Sequence, residues 1–181
     1  MKLTERFHRL RATKGYGVHS PLAFRLIQRV VRPPRDVVFY GEEKLEDFQL
    51  PRVMIRRARI LLRFVAEQQP SYVWTSPGLP EIYSEAIRLA GCVIRIYDGA
   101  LFPDDISKAD MVFFNDGKIK KSELRKILVP GKSLIAFSVR PKVLEWTAQL
   151  LNGGILLEAV DSMIAVCTRD EASHLYKISK L

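Results

Sequence analysis

The chain has 181 residues, of which 48% are hydrophobic and 27% are charged, and these proportions exclude a disordered or fibrous protein. Its formal net charge is +9, and residues 1–70 hold 15 Lys and Arg against 7 Asp and Glu. No apolar run approaches the ~20 residues that cross a bilayer, and the start of the chain lacks the apolar stretch of a signal peptide. We therefore expect a cytoplasmic protein with no membrane partner.

Residues 1–51 are expected to form an irregular, partly helical N-terminal extension. Ser20 and Pro21 favour a helix start, because serine caps helices and proline suits the first helical position. Pro33 and Pro34 end this helix. The apolar residues between these signals fit one helical face: Leu22, Phe24, Leu26, Ile27, Val30 and Val31. A connecting loop follows, and we predict a short strand at residues 37–40 within it.

The clearest helix is predicted at residues 52–67. Its apolar residues recur at helical spacing: Met54, Ala58, Leu61, Leu62 and Val65. Four arginines fall together on another face: Arg52, Arg56, Arg59 and Arg63. This arginine stripe is either a footprint for nucleic acid or another polyanion, bound weakly, or a solvated helix face. We favour the solvated face, since no aromatic residues alternate with these charges.

After Pro70 the pattern alternates between strands and helices. Strands are predicted at residues 72–75, 92–97, 111–114, 133–137, 155–160 and 163–168, and helices at about 81–90, 121–128 and 141–151. Strands this apolar indicate a mostly parallel sheet with helices on both faces. The first strand should lie in the middle, flanked by the second and third. The last two are so close in sequence that only an antiparallel hairpin is expected.

Three segments carry a family resemblance. The segment GYGVHSPLAF at residues 15–24 resembles the G-x-G-V-H-S-P-F-x-F opening of methyltransferase-like proteins common in Bacteroidetes. The segment DMVFFNDG at residues 110–117 resembles their D-L-V-F-I-D-G strand, and residues 161–178 resemble their closing hairpin and short C-terminal strand. The chain thus resembles the class I S-adenosylmethionine-dependent methyltransferases. This resemblance implies a Rossmann-like methyltransferase domain at residues 52–181.

The resemblance also implies a site for S-adenosylmethionine at the carboxyl ends of the strands. Residues assigned to cofactor binding are Thr75, Ser76, Gly78, Asp98, Gly99 and Asn115. Asp98 would accept hydrogen bonds from the ribose hydroxyls, although an aspartate before a glycine is also typical of a turn. Asn115 takes the place of the family's aspartate.

Two residues are candidate catalytic bases. Asp116 follows Asn115, which cannot accept a proton, and the alternative for Asp116 is a hydrogen-bonding turn before Gly117. His19 lies in the N-terminal motif and could take a proton from a hydroxyl substrate, or could tie the N-terminal segment to the domain. No His, Cys, Asp and Glu cluster has metal-ligand spacing, and Cys92 and Cys167 are expected to be buried thiols.

The cofactor region departs from the family in two places. The loop WTSPGLP at residues 74–80 replaces the family's acidic, glycine-rich loop, with two prolines that lack backbone donors and a bulky Leu79. Only residues 99–109 separate Asp98 from Asp110, which is too short for the usual helix and third strand. We therefore expect a sheet that is reduced on that edge, with the wall over the adenine missing or replaced.

Three functions remain open from the sequence. The chain is a methyltransferase for an unknown acceptor with reduced or lost activity, a non-catalytic binding or assembly module on the same fold, or a polyanion-binding protein that uses its basic N-terminal region. Fold alone does not decide among them.

Overall fold

The computed structural model describes residues 12, 18–35, 37–91, 94–98, 103–169 and 172–179. Its α-helices are α1 (Pro21–Leu26), α2 (Arg52–Gln68), α3 (Glu81–Leu89), α4 (Pro103–Lys108), α5 (Lys121–Ile127) and α6 (Pro141–Leu150). A π-helical turn, Ile27–Val31, continues α1, and a 3₁₀ helix spans Glu42–Phe48. The strands are β1 (Tyr72–Thr75), β2 (Arg95–Asp98), β3 (Met111–Phe114), β4 (Ser133–Phe137), β5 (Gly154–Glu158), β6 (Ser162–Val166) and β7 (Ser173–Lys177).

The strands form one sheet in the order β2-β1-β3-β4-β6-β5-β7. Strands β2, β1, β3 and β4 pair in parallel, whereas β6 is antiparallel to both β4 and β5. The last strand, β7, pairs in parallel with β5. The predicted mostly parallel α/β sheet with an antiparallel hairpin near its C-terminal end is confirmed. The predicted position of β1 between β2 and β3 is confirmed as well.

Two apolar cores cover the sheet, one on each face. Successive side chains of a strand point to opposite faces, so Val73 joins one core and Trp74 the other. The first core contains the buried sides of α1, α2 and α3. The second contains Leu124 of α5 and Val143 of α6. The sequence prediction of helices on both faces is therefore confirmed.

The N-terminal helix belongs to the first core. Ala23, Leu26, Ile27 and Val30 are fully buried beside the apolar side of α2. Its predicted start is confirmed: Pro21 is the first helical residue, and the Ser20 hydroxyl accepts a hydrogen bond from the Ala23 amide at 3.3 Å. In the described ranges, no helix is long and apolar enough to cross a membrane.

The predicted strand at residues 37–40 is wrong. This segment has no strand partner, and Gly41, with φ of +84°, turns the chain into the 3₁₀ helix. Val38 and Tyr40 are 85% and 83% exposed, so this apolar run does not reflect a buried strand. The predicted second strand begins at Arg95 rather than at residue 92, and residues 92 and 93 lie outside the described residues.

The connection between β2 and β3 contains the short helix α4. Ile106 of α4 is buried in the second core and so covers part of this face of the sheet. Residues 99–102 lie outside the described residues. In the described part of the connection no strand follows β2, so β2 has β1 as its only described neighbour.

Candidate functional site

The carboxyl ends of β1 and β3 form the switch point of the sheet. After β1 the chain passes to α3, whose Ile82 lies in the first core, and after β3 it passes to α5, whose Leu124 lies in the second. The two connections thus leave neighbouring parallel strands toward opposite faces. In open α/β sheets, ligands bind in the crevice that such a divergence creates.

Ser76 joins the two loops that border this crevice. Its amide donates a hydrogen bond to the Phe113 carbonyl at 2.9 Å, and its hydroxyl oxygen accepts one from the Asn115 amide at 3.2 Å. Ser76 is 4% exposed and Thr75 is fully buried. The structure therefore brings the predicted residues Thr75, Ser76 and Asn115 together, with the Ser76 hydroxyl spanning the divergence.

In the rest of the loop after β1, the bulky side chain of Leu79 packs toward the first core. Pro77 and Gly78 are exposed, and Gly78 has φ of +74°. Leu79 is partly buried and packs against the first core. Helix α3 then begins with Glu81 in its first turn and has no side-chain cap. A carboxylate at this position opposes the binding of an anionic ligand group at the helix start.

The other predicted cofactor residues lie at β2. Asp98 ends this strand with its Cα opposite that of Thr75, so its backbone lies at the predicted edge of the sheet. Gly99 lies outside the described residues.

Asp116 is held in a turn by its neighbour Lys118. Its Oδ1 accepts a hydrogen bond from the Lys118 amide at 3.2 Å, and its Oδ2 lies 3.5 Å from the Lys118 Nζ. This is the geometry of an Asx turn. Both carboxylate oxygens of Asp116 therefore have partners within the turn, as the alternative interpretation of this residue expected.

His19 lies at the far edge of the sheet from this crevice. It is exposed, and the next residue, Ser20, donates its amide to the Tyr176 hydroxyl oxygen at 3.2 Å. Tyr176 belongs to the edge strand β7, which is five strand positions from β1, or roughly 24 Å at ~4.8 Å per strand. The structure thus does not bring His19 together with Ser76 or Asp116.

A second polar cluster, which the sequence patterns did not indicate, surrounds Arg57. This arginine donates to the Ser138 hydroxyl at 3.2 Å and to the Asp161 carboxylate at 2.6 Å, and its guanidinium lies 5.3 Å from the centre of the Phe137 ring. Ser138 has φ of +56° directly after β4. Arg57 and Asp161 are 104 residues apart, so no local spacing reveals the pair.

Tyr83 of α3 packs beside the same cluster. It lies edge-on to the Phe113 ring, with the two ring centres 5.5 Å apart. Burial raises the pKa of Tyr83, and the positive charge and hydrogen bond of Arg57 partly oppose this shift. The cluster fastens α2 to the end of β4 and to the turn before β6.

The arginine stripe of α2 is partly neutralised within the molecule. Arg59 and Arg63 both pair with Glu42 of the 3₁₀ helix, and Arg59 also pairs with Glu46. Arg52 and Arg56 are exposed. Two of the four predicted polyanion contacts are thus used to hold the 3₁₀ helix on α2.

The structure also bears on metal and thiol chemistry. Over the described ranges, no three His, Cys, Asp or Glu side chains come together as metal ligands. Cys167 is buried, and burial raises its pKa to about 11. Cys92 lies outside the described residues.

A comparison of the chain with protein-family models, curated proteins and solved structures found no match.

Proposed function

We propose that this chain is a class I methyltransferase-like domain that acts as a non-catalytic binding module. The observation that carries the proposal is the hydrogen bond from the Asn115 amide to the Ser76 hydroxyl at 3.2 Å. It joins the two loops at the edge of the sheet where a cofactor would bind. A protein that keeps the sheet but not the cofactor site is expected to act through its outer surfaces.

The sheet order supports the methyltransferase part of this proposal. Strands β1 to β4 correspond to the family's first, second, fourth and fifth strands, and the antiparallel β6 lies between β4 and β5 as a closing hairpin requires. The family's third strand would lie beyond β2. The short β2–β3 connection accounts for its absence from the described sheet.

Three features of the crevice support the loss of S-adenosylmethionine binding. The Ser76 hydroxyl is already bonded to the Asn115 amide, and Pro77 and Pro80 cannot donate backbone hydrogen bonds. Glu81 places a negative charge where the cofactor's carboxylate would approach the start of α3. Each lost contact weakens binding by on the order of 1 kcal/mol, so several together move a micromolar site towards millimolar.

The second candidate function is an active methyltransferase, and the position of Asp98 favours it. Its Cα lies opposite that of Thr75 at the end of β2, where the family places the carboxylate that binds the ribose. A surviving site would depend on this residue. Catalysis would then consist mainly of positioning the acceptor, since the methyl donor is already reactive.

Calorimetric titration separates the two candidates. Wild-type protein and an Asp98→Ala variant are titrated with S-adenosylmethionine and with S-adenosylhomocysteine, after cooperative thermal unfolding shows that both are folded. We expect neither protein to show saturable binding of either compound below about 100 μM ligand, since a millimolar site would stay mostly empty there. Micromolar binding by the wild type that Asp98→Ala abolishes would overturn the proposal and support the active enzyme.

A further inference from the structure

Helix α1 and its π-helical turn carry the exposed arginines Arg25, Arg29 and Arg32, and Arg35 follows in the next loop. Arg25 and Arg29 both contact the Glu67 carboxylate, at 2.9 and 3.1 Å, so one negative charge balances two positive charges. Within the described part of the chain, Arg32 and Arg35 have no ion-pair partner. Among the described residues, these four arginines, here called the cationic surface, have one carboxylate as an ion-pair partner, that of Glu67.

A groove runs beside the last two of these arginines. It has a volume of about 380 Å³ and is lined by Gln28, Arg32, Pro33, Pro34 and Arg35. The Arg32 amide bonds to the Ile27 carbonyl at 2.8 Å, which is the wide π-helical pattern, and such turns are frequent at functional sites. The two prolines that follow have fixed φ angles, so the wall of the groove is rigid.

Arg63 contacts both ends of the loop that borders this groove, at Val30 and at Phe39. It donates to the Val30 carbonyl at 3.4 Å, and its guanidinium lies 5.6 Å from the centre of the Phe39 ring. Arg63 thus links α2 to both ends of this loop. Two aromatic residues are exposed: Phe24, which precedes Arg25 on α1, at 47%, and Tyr40, which follows Phe39, at 83%.

We propose that the cationic surface and its groove bind single-stranded nucleic acid. Arginines contact phosphates, exposed aromatic rings stack on bases, and together they form the usual surface for such strands. The Gln28 side chain offers both a donor and an acceptor to a base edge. The groove is shallow and wide open, and a flexible strand can lie along such a surface. This inference does not depend on the crevice at β1 and β3.

From the sequence, the candidate polyanion contacts were the arginines of α2, among which no aromatic residues alternate. The aromatic residues lie on α1 and on the loop before the 3₁₀ helix, away from the α2 stripe in sequence. Ion pairs to Glu42 and Glu46 occupy Arg59 and Arg63. The structure thus moves the candidate contacts from α2 to the cationic surface.

Fluorescence anisotropy with a labelled single-stranded RNA of about 12 nucleotides tests the proposal, because this length covers one groove and its flanks. The salt concentration is varied from about 50 to about 300 mM. We expect the double variant Arg32→Gln/Arg35→Gln to bind about tenfold more weakly, with a log–log salt slope smaller by about 1.4, as expected for two lost phosphate contacts. Tyr40→Ala should weaken binding about tenfold with the slope unchanged, and Tyr40→Phe should keep it.

The matched control is Arg125→Gln/Lys126→Gln, which removes two exposed charges from α5 on the other face of the sheet. It should change binding less than twofold, as expected for distant surface charges. The proposal is wrong if the wild type does not bind the RNA at low salt, or if the control pair weakens binding as much as the Arg32/Arg35 pair. Stronger binding to phosphatidylserine vesicles than to RNA, with the same dependence on Arg32 and Arg35, would also overturn it and indicate a membrane surface.

Discussion

At the scale of single residues, the loops after β3 and β4 are locked against each other. Gly117 has φ of +61°, and a Cβ at this position would lie 2.1 Å from the Ser138 carbonyl oxygen and 2.9 Å from the Val139 Cα. Ser138 itself has φ of +56°, in the region that non-glycine residues adopt only at a cost. Neither loop can therefore move without the other, which makes this edge of the sheet rigid.

Gly117→Ala should destabilise the protein strongly, by about 3 kcal/mol or more, because the added carbon meets backbone that cannot yield. Gly131→Ala is the matched control, since Gly131 has φ of +85° but nothing within 4 Å of the added Cβ. Gly131→Ala should lower the free energy of unfolding by about 1 kcal/mol, from backbone strain alone. Urea unfolding measures both, and equal losses would show that the contact between the two loops is not tight.

Cys167 should resist alkylation in the folded protein. Burial raises its pKa to about 11, so at pH 8 only about one molecule in 1,000 carries the thiolate that reacts. In a Cys92→Ser variant, iodoacetamide should modify Cys167 at least about 100-fold more slowly in native protein than in urea. The native rate should rise as the pH increases towards 11, and equal rates with and without urea would contradict its burial.

At the scale of elements, helices with a regular apolar face were predicted well. Helix α2 was expected at residues 52–67 and spans Arg52–Gln68, because its face reflects real burial. The strand predicted at 37–40 was wrong because Val37, Val38 and Tyr40 are exposed, and the partly buried Phe39 packs against Arg63 from a distant part of the sequence. A local run of apolar residues contains no information about such a distant partner.

The ion pair between Arg63 and Glu42 should stabilise the packing of the 3₁₀ helix on α2. Their side chains are only 16% and 15% exposed. Arg63→Met leaves Glu42 with Arg59 as an ionic partner, so the change should lower the free energy of unfolding by about 1 to 2 kcal/mol. The control is Arg88→Met on α3, where the partners Arg88 and Glu85 are 62% and 30% exposed. That change should lower the free energy of unfolding by less than about 0.5 kcal/mol. Similar losses in urea unfolding would show that the Arg63 pair is as solvated as the control.

At the scale of the whole molecule, the place of β1 in the sheet and the edge of the sheet that carries the candidate site could be predicted from the sequence. The hydrogen bond between the two loops of the crevice could not. The strand ends predicted that Ser76 and Asn115 lie at one edge. Their hydrogen bond joins residues 39 positions apart, and only the register between β1 and β3 creates it. Likewise, the sequence placed His19 in a motif but could not show that it lies beside β7, far from Asp116.

We predict that the crevice between β1 and β3 does not bind S-adenosylmethionine at micromolar concentration. The amide NMR signals of Ser76, Gly78 and Asn115 report on it directly, since these residues lie in the two loops that border the crevice. On addition of S-adenosylhomocysteine to about 50 μM, we predict that these signals do not shift, because a millimolar site would be only about 5% occupied. Saturable shifts of these amides at micromolar ligand, lost in Asp98→Ala, would contradict the account.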